Sequence, residues 1–238
     1  WSSALFLQQA GYDAEQVERA RKRFSGFGDY IKPMPTAYRR LVDGTSLVIN
    51  GQRWRVVVGR GHCPEHACLY SETLNILISG DQVIPKITSN VSVMGGEPEA
   101  NPLKEWLASH DRFLDILPAD ALVLPAHNAP FHGLHARLRR LIEHHEEHLL
   151  ALEEACLEAA PTALELLPVL FKRSLDESQI GLALGECIAH LNYLHQRGQL
   201  DRVLNDRGQH TYRSIDDTLH LRLRRHRSEL EDQPVLQV

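Results

Sequence analysis

Paired cysteines are missing from this chain. Cys63, Cys68, Cys156 and Cys187 form neither a Cys-x-x-Cys pair nor a dense framework, which excludes a disulfide-stapled scaffold and predicts reduced thiols in a cytoplasmic protein. An excess of positive charge is missing as well: the formal net charge is -5, so the surface as a whole is not built to hold a polyanion, and only a local basic patch stays open. Long apolar runs are absent, so no transmembrane span or signal peptide is read. What is present is ordinary for a soluble globular protein: 238 residues, 43% hydrophobic and 24% charged, enough for one large core or two domains. Histidine is the exception, with 14 copies that call for a use.

The stretch from Val56 to Pro85 organises the rest and reads as a strand, a histidine turn, a hairpin and an aspartate turn. The β-branched run Val56-Val57-Val58 predicts a buried strand that stops at Gly59-Arg60-Gly61, just before His62. Leu74 to Ile78 is a second apolar strand, ended by Gly80 and followed by Asp81; Ala121 to Leu124 is a third, followed by Pro125 and then His127. Upstream, Asn50-Gly51 between Ser46–Asn50 and Gln52–Val58 is a strong hairpin signal. If the strands share one sheet, His62, Asp81 and His127 emerge together at its edge, where loops carry chemistry on a rigid scaffold. One carboxylate and two neutral imidazoles suit Zn²⁺ or a similar divalent ion.

The flanking segments are read more coarsely. Trp1 to Gln8 is apolar and uncharged and looks like the interior of a longer protein, and Asp13 caps a charged helix over Ala14 to Phe24 that Ser25-Gly26-Phe27-Gly28 breaks before a loop with Pro33 and Pro35. Residues 84–101, with Lys86, Ser89, Asn90 and Ser92, form either a substrate wall or a plain surface loop. Pro102 opens a helix to about Leu117 with Leu103, Trp106 and Phe113 on its apolar stripe. A long helix follows from Leu134 to Glu158. His144 and His148 stand four apart on it, but His145 occupies the place where a zinc-protease helix needs Glu, so a solvated face is expected for these histidines. Thr162 caps a helix over Ala163 to Phe171, and Asp176 caps one through Gln196 that Gly198 ends; strands at Leu200–Leu204 and Gln209–Arg213 then flank Asn205-Asp206-Arg207-Gly208. Helices followed by a small β-ribbon give a winged-helix reading. Between Ala160 and Ile215 six Lys/Arg offset six Asp/Glu, so packing or dimerisation is favoured over nucleic-acid binding. The tail after Asp217 is expected to be helical to about Glu231.

Gly61-His62-Cys63-Pro64-Glu65-His66, Ser79-Gly80-Asp81 and Leu124-Pro125-Ala126-His127-Asn128 resemble, in order, the third, fourth and fifth metal motifs of the metallo-β-lactamase superfamily. Phe131 to Arg213 resembles the winged-helix extension of one branch of those hydrolases. The resemblance implies an α/β fold: part of an αββα sandwich over residues 1–132, a connecting helix over 133–158, a winged-helix-like domain over 159–215 and a tail over 216–238. It also implies that His62 binds a first metal, Asp81 bridges and carries the chemistry, and His127 binds a second metal, with Zn²⁺ expected at two per full-length chain.

The family's His-x-His-x-Asp-His motif has no counterpart here, so the remaining ligands are expected from an N-terminal part outside this chain, and the chain alone is expected to be inactive; the alternative is a metal-free relative. His66 is expected to support or pack, Cys63 and Cys68 to be packing thiols, and His132 and His135 to serve a helix start. The implied activity is hydrolysis of an ester-like bond in a small molecule (thioester, lactone or phosphodiester) by a metal-held hydroxide, with thioester cleavage leading over nuclease action. No membrane partner is expected, and a homodimer is possible on this reading. The rival is a non-enzymatic winged-helix nucleic-acid-binding protein.

Overall fold

Asn50 and Gly51 both adopt positive φ (48° and 78°), the twist that a two-residue hairpin needs, and join β1 (Ser46–Ile49) to β2 (Gln52–Gly59). The computed structural model describes residues 3–23 and 37–231. Trp1, Phe24, the Ser25–Gly28 break, Pro33 and Pro35 lie outside the described residues.

Strand β2 pairs antiparallel with β3 (His66–Ser71), and β3 pairs antiparallel with β4 (Ile76–Gly80). Strand β4 pairs parallel with β5 (Leu122–Pro125), so the sheet order is β1-β2-β3-β4-β5. Two antiparallel steps turn β4 back to the direction of β2, and β5 follows β4. The C-terminal ends of β2, β4 and β5 therefore lie on one edge, together with the N-terminal end of β3. His66 is thereby a strand residue rather than part of the preceding turn. The second strand starts at Ile76, two residues later than Leu74, because Asn75 takes a positive φ of 51° in the hairpin turn and accepts a hydrogen bond from Tyr70 Oη at 3.2 Å.

A parallel pair requires a crossover, and α3 (Pro102–Ile116) provides it. Asn101 Oδ1 caps it by accepting from Lys104 N at 3.1 Å, Pro102 occupies its first turn, and Leu103, Trp106 and Phe113 bury its apolar stripe. Helix α4 (Leu134–Ala155) stops three residues short of the expected Glu158 and buries Leu134, Leu138, Leu141, Leu149 and Leu152. The histidine face of α4 departs from expectation: His145 is fully buried, its Nδ1 3.0 Å from His190 Nε2. The reason is tertiary. Helix α6 (Glu177–Gln196) packs on α4 and covers the face that helical periodicity alone would leave to water.

The remaining elements are α1 (Ser3–Gln9), which the sequence did not announce, α2 (Ala14–Arg23), a single helical turn α5 (Leu167–Leu170) in place of a helix over Ala163 to Phe171, β6 (Leu200–Leu204) paired with β7 (His210–Ser214), and α7 (Leu219–Glu231). Asp176 Oδ1 accepts from Gln179 N at 3.0 Å at the start of α6, and Gly198 (φ 72°) follows its end, as expected. Residues 84–101 are not a plain surface loop, because Val91 and Val93 are buried and the segment is pinned to α6. Val93 N donates to Gly185 O at 3.0 Å, and Asn192 Nδ2 donates to Pro98 O and Ala100 O at 2.8 and 2.9 Å. Gly185 is needed there, since a Cβ would come within 2.9 Å of Ser92 Cβ.

Two buried polar groups set the expected stability behaviour. Glu153 on α4 has a fully buried side chain whose carboxylate meets Arg222 Nη2 at 2.6 Å, while Arg222 also reaches Asp216 Oδ2 at 2.5 Å. Arg222→Met should destabilise the fold by about 2–3 kcal/mol in urea unfolding, less than a fully buried broken pair because Arg222 is partly solvated. His110 is fully buried beside Trp106 (ring centroids 3.5 Å apart), donates from Nδ1 to Trp106 O at 2.8 Å, and burial pushes its pKa down to about 4. The unfolded chain thus binds this proton at higher pH than the folded one. The stability from His110 is complete above about pH 6.5 and is lost as pH falls toward 4. The urea midpoint should drop over that window, and His110→Phe should flatten the drop.

Candidate metal centre

Two of the three turns at the crowded sheet edge are shaped by a glycine or a bulge, and the third is tied to them. After β2 the chain turns at Gly61 (φ 100°), where a Cβ would strike Trp106 Cβ at 2.3 Å and Pro102 O at 2.6 Å; only glycine lets the backbone lie on α3 at this point. Arg60 N donates to Ser109 Oγ at 2.9 Å, and Gln82 Nε2 donates to Arg60 O at 3.2 Å, so the His62 turn is tied both to α3 and to the Asp81 turn. At the end of β4 the register shifts across Ser79, and Ser79 Oγ donates to Val83 O at 2.8 Å. Gly80 (φ 53°) follows, with the His66 ring where its Cβ would be, 2.4 Å from His66 Cε1. Ala126 N donates to Gly80 O at 2.9 Å and draws the His127 turn in beside the other two.

The structure brings His62, Asp81 and His127 together. His62 Nε2 lies 3.9 Å from Asp81 Oδ2, and His127 Nε2 lies 3.2 Å from Asp81 Oδ1, so each carboxylate oxygen faces a different imidazole. The side chains of His62 and Asp81 are about one-third exposed and that of His127 is mostly exposed, which leaves the group open to solvent. His62 Nδ1 lies 2.8 Å from Asn90 O. A carbonyl only accepts, so Nδ1 carries the proton, which in the neutral ring leaves Nε2 to turn a lone pair toward Asp81, the arrangement that orients a metal-binding imidazole. Asn90 Nδ2 in turn reaches Glu186 Oε2 on α6 at 3.3 Å, and Ser89 Oγ donates to Asp81 O.

The neighbours have other roles. His66 Nε2 accepts from Asp81 N at 3.1 Å, so its lone pair is spent on the backbone that positions Asp81. Burial, with His62 adding to it, holds the His66 pKa below the usual value, and the ring stays neutral as this bond requires. Burial pushes the Cys68 thiol up to about 12 and raises that of Cys63, which keeps both protonated and unsuited to nucleophilic attack. His132 Nδ1 lies 3.3 Å from Asp120 O, and His135 Nε2 lies 2.7 Å from Leu117 O; both pin the start of α4 to the α3–β5 connection. Sequence reasoning missed Asn90 as the carbonyl that orients His62, because any residue type can offer a carbonyl. It also missed Gly80 as the seat of His66.

The mixed α/β fold is shared with proteins of known structure. The chain is similar to a beta-lactamase domain protein from Burkholderia ambifaria (40% identity, TM-score 0.82, covering 88% of this chain and 60% of that one). It is also similar to a metallo-beta-lactamase family protein from Thermus thermophilus (33% identity, TM-score 0.69, covering 88% and 62%). An uncharacterized protein from Aquifex aeolicus (strain VF5) is 31% identical over 106 residues, which are 44% of this chain and 48% of that protein. The chain thus spans between about half and three-fifths of the length of these relatives. In fold and in sequence the chain is similar to metallo-β-lactamase family proteins. More particularly, residues 149–215 match the family model described as metallo-beta-lactamase-like, C-terminal domain.

Gly80→Ala should cost roughly 2–3 kcal/mol, from a left-handed backbone and the collision with His66. Adding His66→Ala should return part of that loss. A double-mutant cycle in urea that shows no coupling would mean the His66 ring does not fill this space.

Proposed function

We propose that this chain is the larger part of a metal-dependent hydrolase, with His62, Asp81 and His127 holding a divalent metal pair, Zn²⁺ foremost. The observation that carries this reading is the division of Asp81 between two imidazoles, with the His62 lone pair aimed by Asn90 O. The donor set fits: two imidazoles and one carboxylate are ordinary ligands for zinc and similar ions. Three side chains are fewer than two ions need, so the remaining ligands come from residues outside these 238. When bound, such a pair lowers the pKa of water and stabilises charge on attacking and leaving oxygens.

The chain's own residues do the positioning. Asp81 sits between the two imidazoles, fixed by His66 and Ser89 on its backbone. Residues 84–93, clamped to α6, fix His62 through Asn90 O. A cavity of about 390 Å³ lined by Lys86, Thr88, Arg137, Arg140 and His144 adjoins this segment and supports a substrate with an acidic portion. The substrate class that suits both features is a small molecule with an ester-like bond: a thioester, a lactone or a phosphodiester. The C-terminal winged-helix-like part serves packing. Its six Lys/Arg and six Asp/Glu offer no field for nucleic acid, so a duplex-binding role is disfavoured. Free cysteines support a cytoplasmic setting, and among the described residues no helix is long and apolar enough to cross a membrane.

In the full-length protein, Asp81→Asn should lose at least one equivalent of metal by elemental analysis, along with most turnover of an ester-like substrate. His127→Ala should act in the same direction, while His66→Ala should be milder than Asp81→Asn. Full activity after His127→Ala, or a milder loss at Asp81 than at His66, would overturn the assignment. The 238-residue chain alone should show no turnover.

A further inference from the structure

The helices carry a second group of imidazoles that the sheet edge does not use. His145 and His148 on α4 and His190 on α6 each bring one ring nitrogen within 4.8 Å of the others. His145 and His190 are fully buried. His190 Nδ1 lies 2.8 Å from Glu186 O, which only accepts, so the proton is on Nδ1 and the lone pair on Nε2. That lone pair faces His145 Nδ1 at 3.0 Å.

Anchoring one ring nitrogen to a carbonyl while aiming the other at a shared point is how proteins orient imidazoles toward a metal. Two nitrogens each about 2.0–2.1 Å from one zinc ion stand roughly 3.0–3.4 Å apart, so the 3.0 Å between His145 Nδ1 and His190 Nε2 suits a common ion, with His148 as the wider third corner. A hydrogen-bonded packing pair explains the group less well. His145 must then donate from Nδ1 to His190, which does nothing for His148 Nδ1, buried and without a hydrogen-bond partner, whereas a shared ion would give such a lone pair a use; His145 Nε2 is buried and unpartnered on either reading. Packing alone thus leaves His148 Nδ1 stranded beside two oriented imidazoles.

We propose that His145, His148 and His190 form a structural site for a borderline divalent ion, Zn²⁺ foremost, that clamps α4 to α6 independently of the Asp81 centre. Three imidazoles without a carboxylate select zinc, nickel, cobalt or copper over magnesium and calcium, which favour oxygen ligands. The partly buried His148, with the His144 ring 4.1 Å away, forms the rim through which the ion enters. Trp106 divides the two sites: its ring is 4.6 Å from that of His145, and its Cβ backs Gly61, the neighbour of His62.

The test uses the untagged 238-residue chain carrying Asp81→Asn and His127→Ala, so that the sheet-edge site is disabled. After equilibration with Zn²⁺ and dialysis, this background should retain about one zinc by elemental analysis, and Co²⁺ in its place should give the visible absorption of a nitrogen-ligated site. Adding His190→Gln should abolish both signals. His148→Asn, at the rim and tolerant of folding, should weaken binding by more than about tenfold and remove the rise in melting temperature on adding Zn²⁺. A background variant that holds no zinc overturns the proposal, as does zinc retained unchanged after His148→Asn, which would mark adventitious binding elsewhere. Neither result bears on the Asp81 assignment, which is tested by metal content and turnover in the full-length protein.

Discussion

The backbone ladder through β2, β3, β4 and β5 is the constraint on which the candidate centre depends. Its two antiparallel steps and one parallel step leave three strands pointing the same way. Whatever follows each strand must then appear at one edge. His62 and Asp81 are separated by one hairpin, whereas His127 returns only after the α3 crossover, yet all three arrive within a few ångströms of one carboxylate. The parallel pair β4–β5 matters most, because without a crossover helix of the right length β5 would present its other end to the site.

Strand direction brings the turns together but does not aim the side chains. Aim comes from hydrogen bonds to groups that can only accept or only donate: Asn90 O fixes the His62 tautomer, and Asp81 N takes the His66 lone pair. Helix α6 stands behind the first of these, since Val93, Asn90 and Ser92 are all bonded to it. The helical C-terminal part is thus a brace for the loop that orients a candidate ligand. A rigid support of this kind is what a site built on loops needs to keep sub-ångström geometry.

Much of this was legible in the residues. Short apolar runs ending in Gly or Pro marked β2, β4 and β5, and the Asn50-Gly51 turn, the Pro102 helix start and the leucine stripe of α4 were read from local chemistry that tertiary contacts did not override. The histidines of α4 were different. Helical periodicity placed His145 on a solvated face because its partner, His190, lies 45 residues on, and nothing local announces that α6 will cover it. The short α5 has a similar cause: the segment around Thr162 is drawn into a bridge with Thr211, and Tyr212 N donates to Pro161 O, so backbone groups that a longer helix would use are engaged elsewhere. His66 was placed in a turn because Cys63-Pro64-Glu65 dominate the local pattern, while the strand it opens is defined by pairing with Gly59.

The contrast between the two groups of histidines shows how surroundings divide the work of one residue type. At the sheet edge the imidazoles share a carboxylate and face water, so an ion held there would have its charge partly offset and a position open for exchange, which is what hydrolysis requires. Between α4 and α6 the imidazoles have no anion among them, and two of the three are fully buried. An ion there would gain ligands but little charge compensation and no room for a substrate, so its only physical consequence would be to join two helices. Since α6 also holds the loop that aims His62, such a joint would reach the sheet edge through geometry, with no ligand shared between them.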